Sequence, residues 1–238
     1  MRVVLAILFW VFAGIMTLAV FIAMLFLMIF CLPFDKKRKL FHAQGFWWAD
    51  AIVGSNPFWS FSLSGLENID PHKTYVVISN HQSLADIVIL YKTHMQFKWV
   101  AKDSLFKIPI FGWCMSCMKY IKLDRGDYSS IKKVYQEASE WLKKGVSVLF
   151  FPEGTRSTTG QMNPFKNGAF KLAIKEKKPI LPIYIGGPGG IVPRGSWVFK
   201  AKANCKLVVL PAIDTSGFGP QDFSRLRDMV RDKIAAAV

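Results

Sequence analysis

The sequence predicts an α/β domain whose mostly parallel sheet is flanked by helices, preceded by an amino-terminal hydrophobic helical segment. Residues 3–32 contain no charged side chain, and from about residue 61 short apolar strands alternate with amphipathic helices. The run Val146–Phe151 is almost entirely apolar, which is typical of a strand in a sheet that is covered on both faces. We therefore divide the chain into a membrane anchor, residues 1–60, and a folded domain, residues 61–238.

The anchor is expected to contain two helices. As a single helix, residues 3–32 would be about 45 Å long, whereas the hydrocarbon core of a bilayer is about 30 Å thick. That length and the basic cluster Lys36–Lys39 disfavour a cleaved signal peptide. The many aromatic residues between 40 and 59 are typical of a second helix that lies at the membrane interface, and Asn56-Pro57 is expected to break it.

The charges that flank the apolar run predict its orientation. Lys36–Lys39 outweighs the single Arg2 on the other side, so the remainder of the chain is expected in the cytoplasm. A tilted helix that crosses the bilayer and a bent helix that dips into one leaflet both fit a run of this length. In either arrangement the basic cluster would contact anionic membrane lipids.

The composition restricts the partners. With 31 basic and 16 acidic side chains the formal charge is +15, which favours phosphorylated substrates or an acidic membrane surface. No nucleic-acid-binding motif occurs in the sequence, so no nucleic-acid partner is expected. The four cysteines predict no disulfide framework. Cys114-x-x-Cys117 is interpreted as two buried thiols, because no second pair of metal ligands accompanies it.

The elements of the folded domain follow in order. We expect strands at residues 61–64, 75–78, 97–101, 120–123, 146–151, 180–185, 196–200 and 205–210. Ser83 and Asp127 are candidate N-caps of helices, and two further helices are expected at residues 166–175 and 223–234. Residues 105–118 predict a short helix and a turn. Residues 186–190 are interpreted as a plain loop, because they match neither common phosphate-binding pattern.

A histidine and an aspartate occur close together where the second predicted strand turns into the next helix. His81 lies in this turn and Asp86 lies in the first turn of the helix. On one continuous helix two such residues would diverge by about 140°, so they meet only if the turn folds His81 back over the helix start. Histidine can take a proton near neutral pH, and a carboxylate fixes its tautomer. Because Ser83-x-x-Asp86 also matches a capping box, helix capping is the alternative role of Asp86.

Basic residues follow other strands of the predicted sheet. Lys102, Arg125 and Arg156 stand at or just beyond strand ends, and in an open α/β sheet these ends face the ligand crevice. Arginine can bind a phosphate with two parallel hydrogen bonds, lysine adds a point charge, and Gly154 allows a close approach of the backbone. These residues predict a site for a phosphorylated ligand beside His81, although each cation alone fits an ordinary surface charge.

Four blocks of the sequence carry a family resemblance. Residues 80–86 contain the motif H-x4-D, and residues 151–157 read FPEGTRS. These two blocks look like the first and third blocks of the glycerolipid acyltransferase family, and within it most closely of the branch that acylates lysophosphatidate. Residues 102–112 and 123–125 resemble the second block of that family, and residues 181–183 resemble the fourth. The match runs from about residue 61 to residue 215 in the family's order. In the second block Lys119 and Lys122 stand where the family often has glycine and an apolar residue.

The resemblance implies an enzyme that transfers a fatty acyl group from acyl-CoA or acyl-carrier protein to the sn-2 hydroxyl of lysophosphatidate, giving phosphatidate in phospholipid biosynthesis. It implies His81 as the general base and Asp86 as its orienting partner. The residues implied in substrate binding are Lys102, Arg125, Glu153, Gly154, Thr155 and Arg156. Neither a cofactor nor a metal is implied. The expected location is a bacterial inner membrane, with the catalytic domain on the cytoplasmic side.

The implied acyl transfer requires few catalytic groups from the protein. A thioester is already activated, so the enzyme has to remove the hydroxyl proton and hold the reactants in line. The G-x-S-x-G elbow of serine hydrolases is absent from the sequence, which favours direct transfer over a covalent intermediate.

Two alternatives remain at the level of the sequence. The acceptor could be glycerol 3-phosphate or another lysolipid. A non-catalytic, membrane-anchored protein that binds anionic lipids would need the basic cleft but not the pair His81 and Asp86.

Overall fold

The structure, a computed structural model, describes residues 2–157, 161–187, 191, 196–199 and 202–237. The helices in this part of the chain are α1 (Arg2–Cys31), α2 (Lys39–Gly54), α3 (Ala85–Tyr91), α4 (Asp103–Phe106), α5 (Phe111–Cys117), α6 (Tyr128–Lys143), α7 (Gly168–Lys175) and α8 (Phe223–Ala235). The strands are β1 (Trp59–Ser64), β2 (Val76–Ser79), β3 (Phe97–Lys102), β4 (Ile121–Leu123), β5 (Ser147–Phe150), β6 (Ile180–Gly186) and β7 (Ala203–Val209).

These strands form one sheet in the order β1-β7-β6-β2-β5-β3-β4. Within it every pair of neighbouring strands is parallel except β6 and β7. The predicted α/β fold with a mostly parallel sheet is confirmed. Because β2, β5, β3 and β4 are consecutive neighbours, their carboxyl ends meet at one edge, and the motifs that follow them in the sequence meet there too.

Helices cover both faces of the sheet. On one face α1, α2, α3 and α5 contribute to an apolar core that includes Met24 and Phe41, and on the other α6, α7 and α8 pack around Leu142 and Phe170. Neighbouring residues of β2 point into opposite cores, Val77 into the first and Val76 into the second. A central strand buried on both faces has no polar side, which explains the continuous apolar runs in the sequence.

The apolar helix α1 lies along the folded domain. Near its start Phe9 packs on Trp59, with ring centroids 5.4 Å apart, and near its end the sulfur atoms of Met28 and Cys117 lie 3.7 Å apart. Among the described residues, Val3–Cys31 is the one helix long and apolar enough to cross a membrane, and 11% of its most apolar window is buried. So little burial does not fit the core helix of a soluble protein.

The elbow between α1 and α2 is built by Asp35. Its carboxylate accepts hydrogen bonds from the backbone N–H groups of Lys39 at 2.7 Å and Leu40 at 2.9 Å, and so caps α2. The predicted interfacial helix thus begins at Lys39, and it ends at Gly54, before Asn56-Pro57 as expected. β1 begins at Trp59, ahead of the predicted domain boundary at residue 61, because it pairs with β7 from Ala203 onwards.

Other elements differ in detail from the predictions. Where a short helix and a turn were predicted at residues 105–118, the structure has two short helices, α4 and α5, joined by a turn at residues 107–110. The predicted strand 196–200 is wrong over residues 196–199, which form no strand, and residue 200 lies outside the described part, as do residues 188–190 of the predicted loop. The N-cap of α3 is Leu84, although the hydroxyl of Ser83 still accepts from the backbone N–H of Ala85 at 3.3 Å. The predicted cap Asp127 accepts from Ser129 and Ser130 and begins α6.

Two backbone constraints explain the spacing in the second sequence block. Lys119 has a φ of 53°, so it adopts the left-handed conformation that the family's glycine would reach without strain. Gly112 lies against α4: a Cβ atom there would be 2.2 Å from the carbonyl oxygen of Phe106. The tight return of the chain between α4 and α5 therefore requires glycine at position 112.

We predict that Gly112→Ala destabilises the fold, because the new methyl group meets backbone that cannot move aside. The expected loss is roughly 2 kcal/mol, which for a chain of this size lowers the melting temperature by about 4–8 °C. Thermal unfolding in detergent micelles measures it. Gly14→Ala in α1 is the control, since a Cβ there has no atom within 4 Å. Equal melting temperatures for Gly112→Ala and Gly14→Ala would contradict the prediction.

Candidate active site

The turn between β2 and α3 brings His81 and Asp86 together. The Nδ1 atom of His81 lies 2.6 Å from Oδ2 of Asp86, as the predicted fold-back of the turn requires. Asp86 is completely buried, whereas the His81 side chain keeps 15% of its surface exposed. The histidine therefore reaches the cavity, and the carboxylate supports it from behind.

The contacts of Asp86 fit both of the roles that the sequence left as alternatives, namely orienting His81 and capping the start of α3. The same Oδ2 atom accepts hydrogen bonds from the backbone N–H groups of Gln82 at 2.7 Å and Ser83 at 3.0 Å. The carboxylate thus ties the turn to the start of α3 and orients the histidine at once. Because an ionised carboxylate can only accept, Nδ1 of His81 carries a proton, and Nε2 of the neutral ring is left as the basic atom.

The ring of His81 is fixed from a second side by Phe151, the first residue after β5. The two rings stack with centroids 4.0 Å apart and an angle of 14° between their planes. The chain beyond also bonds to the histidine turn, since the N–H of Ser157 donates to the carbonyl of His81 at 2.9 Å. The first and third sequence blocks therefore form one packed unit.

Glu153 joins this unit from inside. Its Oε1 accepts from the N–H of His81 and its Oε2 from the N–H of Asn163, both at 2.8 Å. The side chain is buried, and this burial raises the pKa of Glu153. The resemblance implied a substrate contact for Glu153, but its carboxylate lies behind the cavity wall, because both oxygens already bind backbone groups of two loops.

Asn80 holds the other flank of the histidine turn, a role that the sequence did not reveal. Its side-chain amide makes two hydrogen bonds of 2.8 Å with the backbone of Ile185 in β6, donating to the carbonyl and accepting from the N–H. The side chain thereby continues the ladder between β2 and β6 by one rung beyond the strand. The two partners are 105 residues apart, so no local pattern could have shown the contact.

Cations surround the opening beside His81. The cavity is lined by Lys102, the last residue of β3, by Arg125 after β4 and by Arg156 after β5. Gly154 and Thr155 of the third block also line it. A fourth cation, Lys166, was missed. Gly154 has a φ of 72°, and a Cβ on it would lie 2.9 Å from both Cε and Nζ of Lys166, so the lysine stands over the glycine.

The four basic side chains Lys102, Arg125, Arg156 and Lys166 are here called the cation ring. Within the described part of the chain none of them forms an ion pair with a carboxylate. Unneutralised cations that converge on one opening attract an anionic ligand strongly. The signal that could have revealed Lys166 is Gly154 itself, since a glycine after a strand often marks a close approach by another group.

The opening leads into a cavity of about 450 Å³. Its mouth holds His81 and the cation ring, whereas its interior is mostly apolar, with Trp99, Met115 and Met118 from the folded domain. Thr17 and Val20 of α1 and Gly45 and Trp48 of α2 also line it. The cavity therefore has a charged end that contains His81 and an apolar end closed by α1 and α2, which suits an amphiphile with a long hydrocarbon chain.

Comparison with known proteins agrees with this geometry. A family model described as acyltransferase matches residues 60–186. The chain is 40% identical over 233 residues to a chloroplastic 1-acyl-sn-glycerol-3-phosphate acyltransferase of Brassica napus, covering 97% of this chain and 65% of the relative. It is 34% identical over 201 residues to a 1-acyl-sn-glycerol-3-phosphate acyltransferase of Pseudomonas aeruginosa, covering 82% of this chain and 75% of the relative.

A solved structure is similar over the whole chain. The crystal structure of the 1-acyl-sn-glycerophosphate acyltransferase PlsC from Thermotoga maritima superimposes with a TM-score of 0.84 at 26% sequence identity, covering 100% of this chain and 95% of that one. The chain covers a smaller share of the length of its plant relatives. It spans 65% of the Brassica napus protein and 56% of a chloroplastic 1-acyl-sn-glycerol-3-phosphate acyltransferase of Arabidopsis thaliana.

We predict that Glu153→Gln loosens the site without removing any cavity-lining group. Glutamine has one accepting oxygen, so its NH₂ group would face the N–H of either His81 or Asn163, and the cost is about 1–3 kcal/mol. Thermal unfolding of the purified protein measures the loss. Glu137→Gln is the matched control, because within the part of the chain that the structure describes Glu137 makes only a surface pair with Lys133 at 3.9 Å. Unchanged stability of Glu153→Gln would show that the two backbone bonds are dispensable.

Proposed function

The chain belongs to the acyltransferase family, and from this premise we propose that it transfers a fatty acyl group from a thioester to the sn-2 hydroxyl of lysophosphatidate, forming phosphatidate. One observation supports the proposal above the others: the base His81 lies at the mouth of an apolar cavity that the cation ring surrounds. This arrangement matches an acceptor with a phosphate, a hydroxyl and a long chain. The names of the relatives point to the same acceptor.

In the proposed reaction, Nε2 of His81 takes the proton of the sn-2 hydroxyl while the oxygen attacks the thioester carbonyl. The tetrahedral intermediate collapses, the new ester forms, and the carbon–sulfur bond breaks. The imidazolium then returns its proton to the departing thiolate, so the enzyme regains its starting state. The buried carboxylate of Asp86, 2.6 Å from Nδ1, stabilises the imidazolium while it exists.

The cation ring would hold the acceptor phosphate. Arg156 offers a planar pair of donors, and Lys166 and Lys102 add point charges beside it. Glu153 has a positioning role in this proposal, because it fixes the backbone of His81 relative to the loop that leads to Lys166. The distance between His81 and the phosphate site is thereby held constant. An acceptor bound by its phosphate then has its sn-2 hydroxyl beside the base, in position for in-line attack.

The acyl donor and the membrane belong to the same proposal. Acyl-CoA and acyl-carrier protein are both acidic and suit a chain with a charge of +15. The apolar interior of the cavity would take the hydrocarbon chain. Since lysophosphatidate and phosphatidate remain in the bilayer, a site at the membrane spares the transfer of hydrocarbon into water, which costs about 0.8 kcal/mol per CH₂.

We further propose that residues 1–60 attach the protein to one leaflet of a bacterial inner membrane from the cytoplasmic side. The supporting observation is the course of α1, whose packing on Trp59 and on Cys117 keeps both of its ends beside the folded domain. A helix that is held against its domain at both ends favours an anchor that lies in one leaflet over one that crosses the bilayer. Its exposed face would contact acyl chains, and Lys36–Lys39 would contact anionic headgroups.

The experiment that tests the function is product analysis by mass. Purified protein in vesicles is mixed with lysophosphatidate and with acyl-CoA or acyl-carrier protein in separate reactions. Phosphatidate that carries the acyl chain of the donor supports the proposal. Activity on glycerol 3-phosphate or on a lysolipid without phosphate, with none on lysophosphatidate, would overturn it.

We predict that His81→Ala abolishes transfer and that Asp86→Asn is nearly as damaging, because the amide neither stabilises the imidazolium nor enforces the Nδ1–H tautomer. The expected losses in kcat are at least about 100-fold, the usual contribution of a positioned base. Melting temperatures of both variants are measured alongside. If Asp86→Asn kept normal turnover and lost only stability, its role would be helix capping alone.

We predict that Arg156→Ala and Lys166→Ala each weaken binding of the phosphorylated acceptor and leave the thioester unaffected. A charge-assisted hydrogen bond to phosphate contributes about 1.5–3 kcal/mol, so the KM for lysophosphatidate should rise roughly 10- to 100-fold. Lys175→Ala, at the exposed end of α7, is the control for the loss of one positive charge. An equal rise in the KM of both substrates would contradict the assignment of these residues to the phosphate.

We predict that the amino-terminal unit does not cross the bilayer. Single cysteines at positions 2 and 37, in a background without the native cysteines, are exposed to an impermeant thiol reagent on intact bacterial cells, with a periplasmic single-cysteine protein as positive control. Labelling at neither position is expected. Labelling at position 2 alone means a transmembrane helix, and labelling at position 37 would overturn the cytoplasmic placement.

A further inference from the structure

Two tryptophans of the folded domain are exposed beside the apolar helix α1. Trp113 in α5 is 52% exposed, and Trp197, between β6 and β7, is 51% exposed. The ring of Trp113 contacts that of Phe21 with centroids 5.5 Å apart, and the carbonyl oxygen of Trp197 accepts a hydrogen bond of 2.7 Å from the indole N–H of Trp10. Neither tryptophan lines the cavity, so the mechanism proposed above uses neither of them.

Both tryptophans meet α1 along the same side. With 3.6 residues per turn, Trp10 and Phe21 point within about 20° of each other, and they are about 16 Å apart along the axis. The residues of α1 on one side of this line are buried, namely Ala6, Ala13, Val20 and Met24, and those on the other side are exposed, namely Leu18, Ile22, Leu25 and Ile29. Trp113 and Trp197 therefore extend the exposed apolar face of α1 onto the folded domain.

The turn between α4 and α5 adds an aliphatic side chain at one end of this surface. Ile108 in this turn is exposed, whereas Phe111, three residues later, lines the cavity. The chain reverses between them at Ile110, which has a φ of 63°, and the N–H of Phe111 donates to the carbonyl of Pro109 at 2.6 Å. A β-branched residue in this conformation is strained, so the surrounding structure holds the turn in place. An exposed isoleucine is thus fixed near Trp113.

The other end of the surface is also held in place. Phe199 packs on Phe9 of α1 with centroids 4.7 Å apart and on Trp59 with centroids 5.3 Å apart, which fixes the segment that carries Trp197. Phe58, just before β1, is exposed, and Nζ of Lys202 lies 5.9 Å from the centre of its ring. Exposed aromatic rings beside a lysine are typical of protein segments that lie at the headgroup level of a bilayer.

We propose that Phe58, Ile108, Trp113 and Trp197, here called the aromatic rim, form a second lipid-contacting surface through which the folded domain itself enters the membrane interface. The occupant is lipid because the rim continues the exposed face of α1, and because a chain with a charge of +15 suits anionic headgroups. The inference goes beyond the anchor of residues 1–60, but it rests on the proposed attachment of that anchor to one leaflet.

The rim adds what a single helix in the interface lacks. A protein that is attached by α1 alone could roll about the axis of that helix, which would tilt the opening of the cavity away from the lipid. Contacts at two places about 16 Å apart on the same side of α1 oppose this roll. The rim would therefore keep the opening in one orientation towards the bilayer that contains the acceptor.

The test uses the native tryptophans as probes of the bilayer. The full chain is bound to vesicles of phosphatidylcholine and phosphatidylglycerol that carry bromine on the acyl chains near the headgroups, because bromine quenches an indole only at close contact. Trp113→Phe and Trp197→Phe should each remove emission that these vesicles quench, so that the quenched part of the signal is smaller than in the native protein. Trp141→Phe is the control, because Trp141 is buried in the core on the other face of the sheet, and its loss should leave the quenched part unchanged.

Trp47, an exposed residue of α2, separates this inference from the proposed anchor. If Trp47→Phe removes quenched emission and either Trp113→Phe or Trp197→Phe removes only unquenched emission, the aromatic rim is overturned, and water or a second copy of the chain covers that surface. If brominated vesicles quench none of the emission of the native protein, the proposed attachment of residues 1–60 is overturned as well.

Discussion

The site depends on one buried carboxylate. Asp86 has no contact with solvent, and such a charge is tolerated in a protein interior only when hydrogen bonds compensate its lost hydration. Its Oδ2 atom finds them in the imidazole of His81 and in the two backbone N–H groups that follow, whereas Oδ1 has no hydrogen-bond partner among the described residues. The need to satisfy the charge therefore folds the turn, and the folded turn aims the proposed base, His81. The structural role of Asp86 and its proposed catalytic role cannot be separated, because a single oxygen atom, Oδ2, makes the contacts for both.

Much of this arrangement was predictable, because it is local in the sequence. Apolar runs and a few caps such as Asp127 predict the alternation of strands and helices, and a parallel sheet then brings the strand ends to one edge. The contacts of Asn80 with Ile185 and of Glu153 with Asn163 were not predictable, since they depend on which strands and loops become neighbours. Lys166 escaped notice for the same reason: it acts by standing over Gly154, and no motif in its own segment indicates this.

The apolar helix α1 shows a different limit of prediction from the sequence. Hydropathy correctly predicts the helix α1, but it counts only the residues of that helix and carries no information on what lies beside it. The contacts of Phe9 with Trp59 and of Phe21 with Trp113 decide its course, and both partners belong to elements far along the chain. Hydropathy by itself favours a helix that crosses the bilayer, whereas these contacts, which only the folded protein contains, favour a helix that lies along the domain.

The packing of α1 and α2 also affects how the protein could be controlled. Val20, Met24 and Phe41 are part of the same apolar core as the strands, and residues of both helices form the inner wall of the cavity. Proteolytic release of the amino-terminal helices would strip the core and open the binding chamber to water. The proposed attachment to a lipid surface is therefore no removable tether. A shed form without residues 1–60 would lack the inner wall of the cavity.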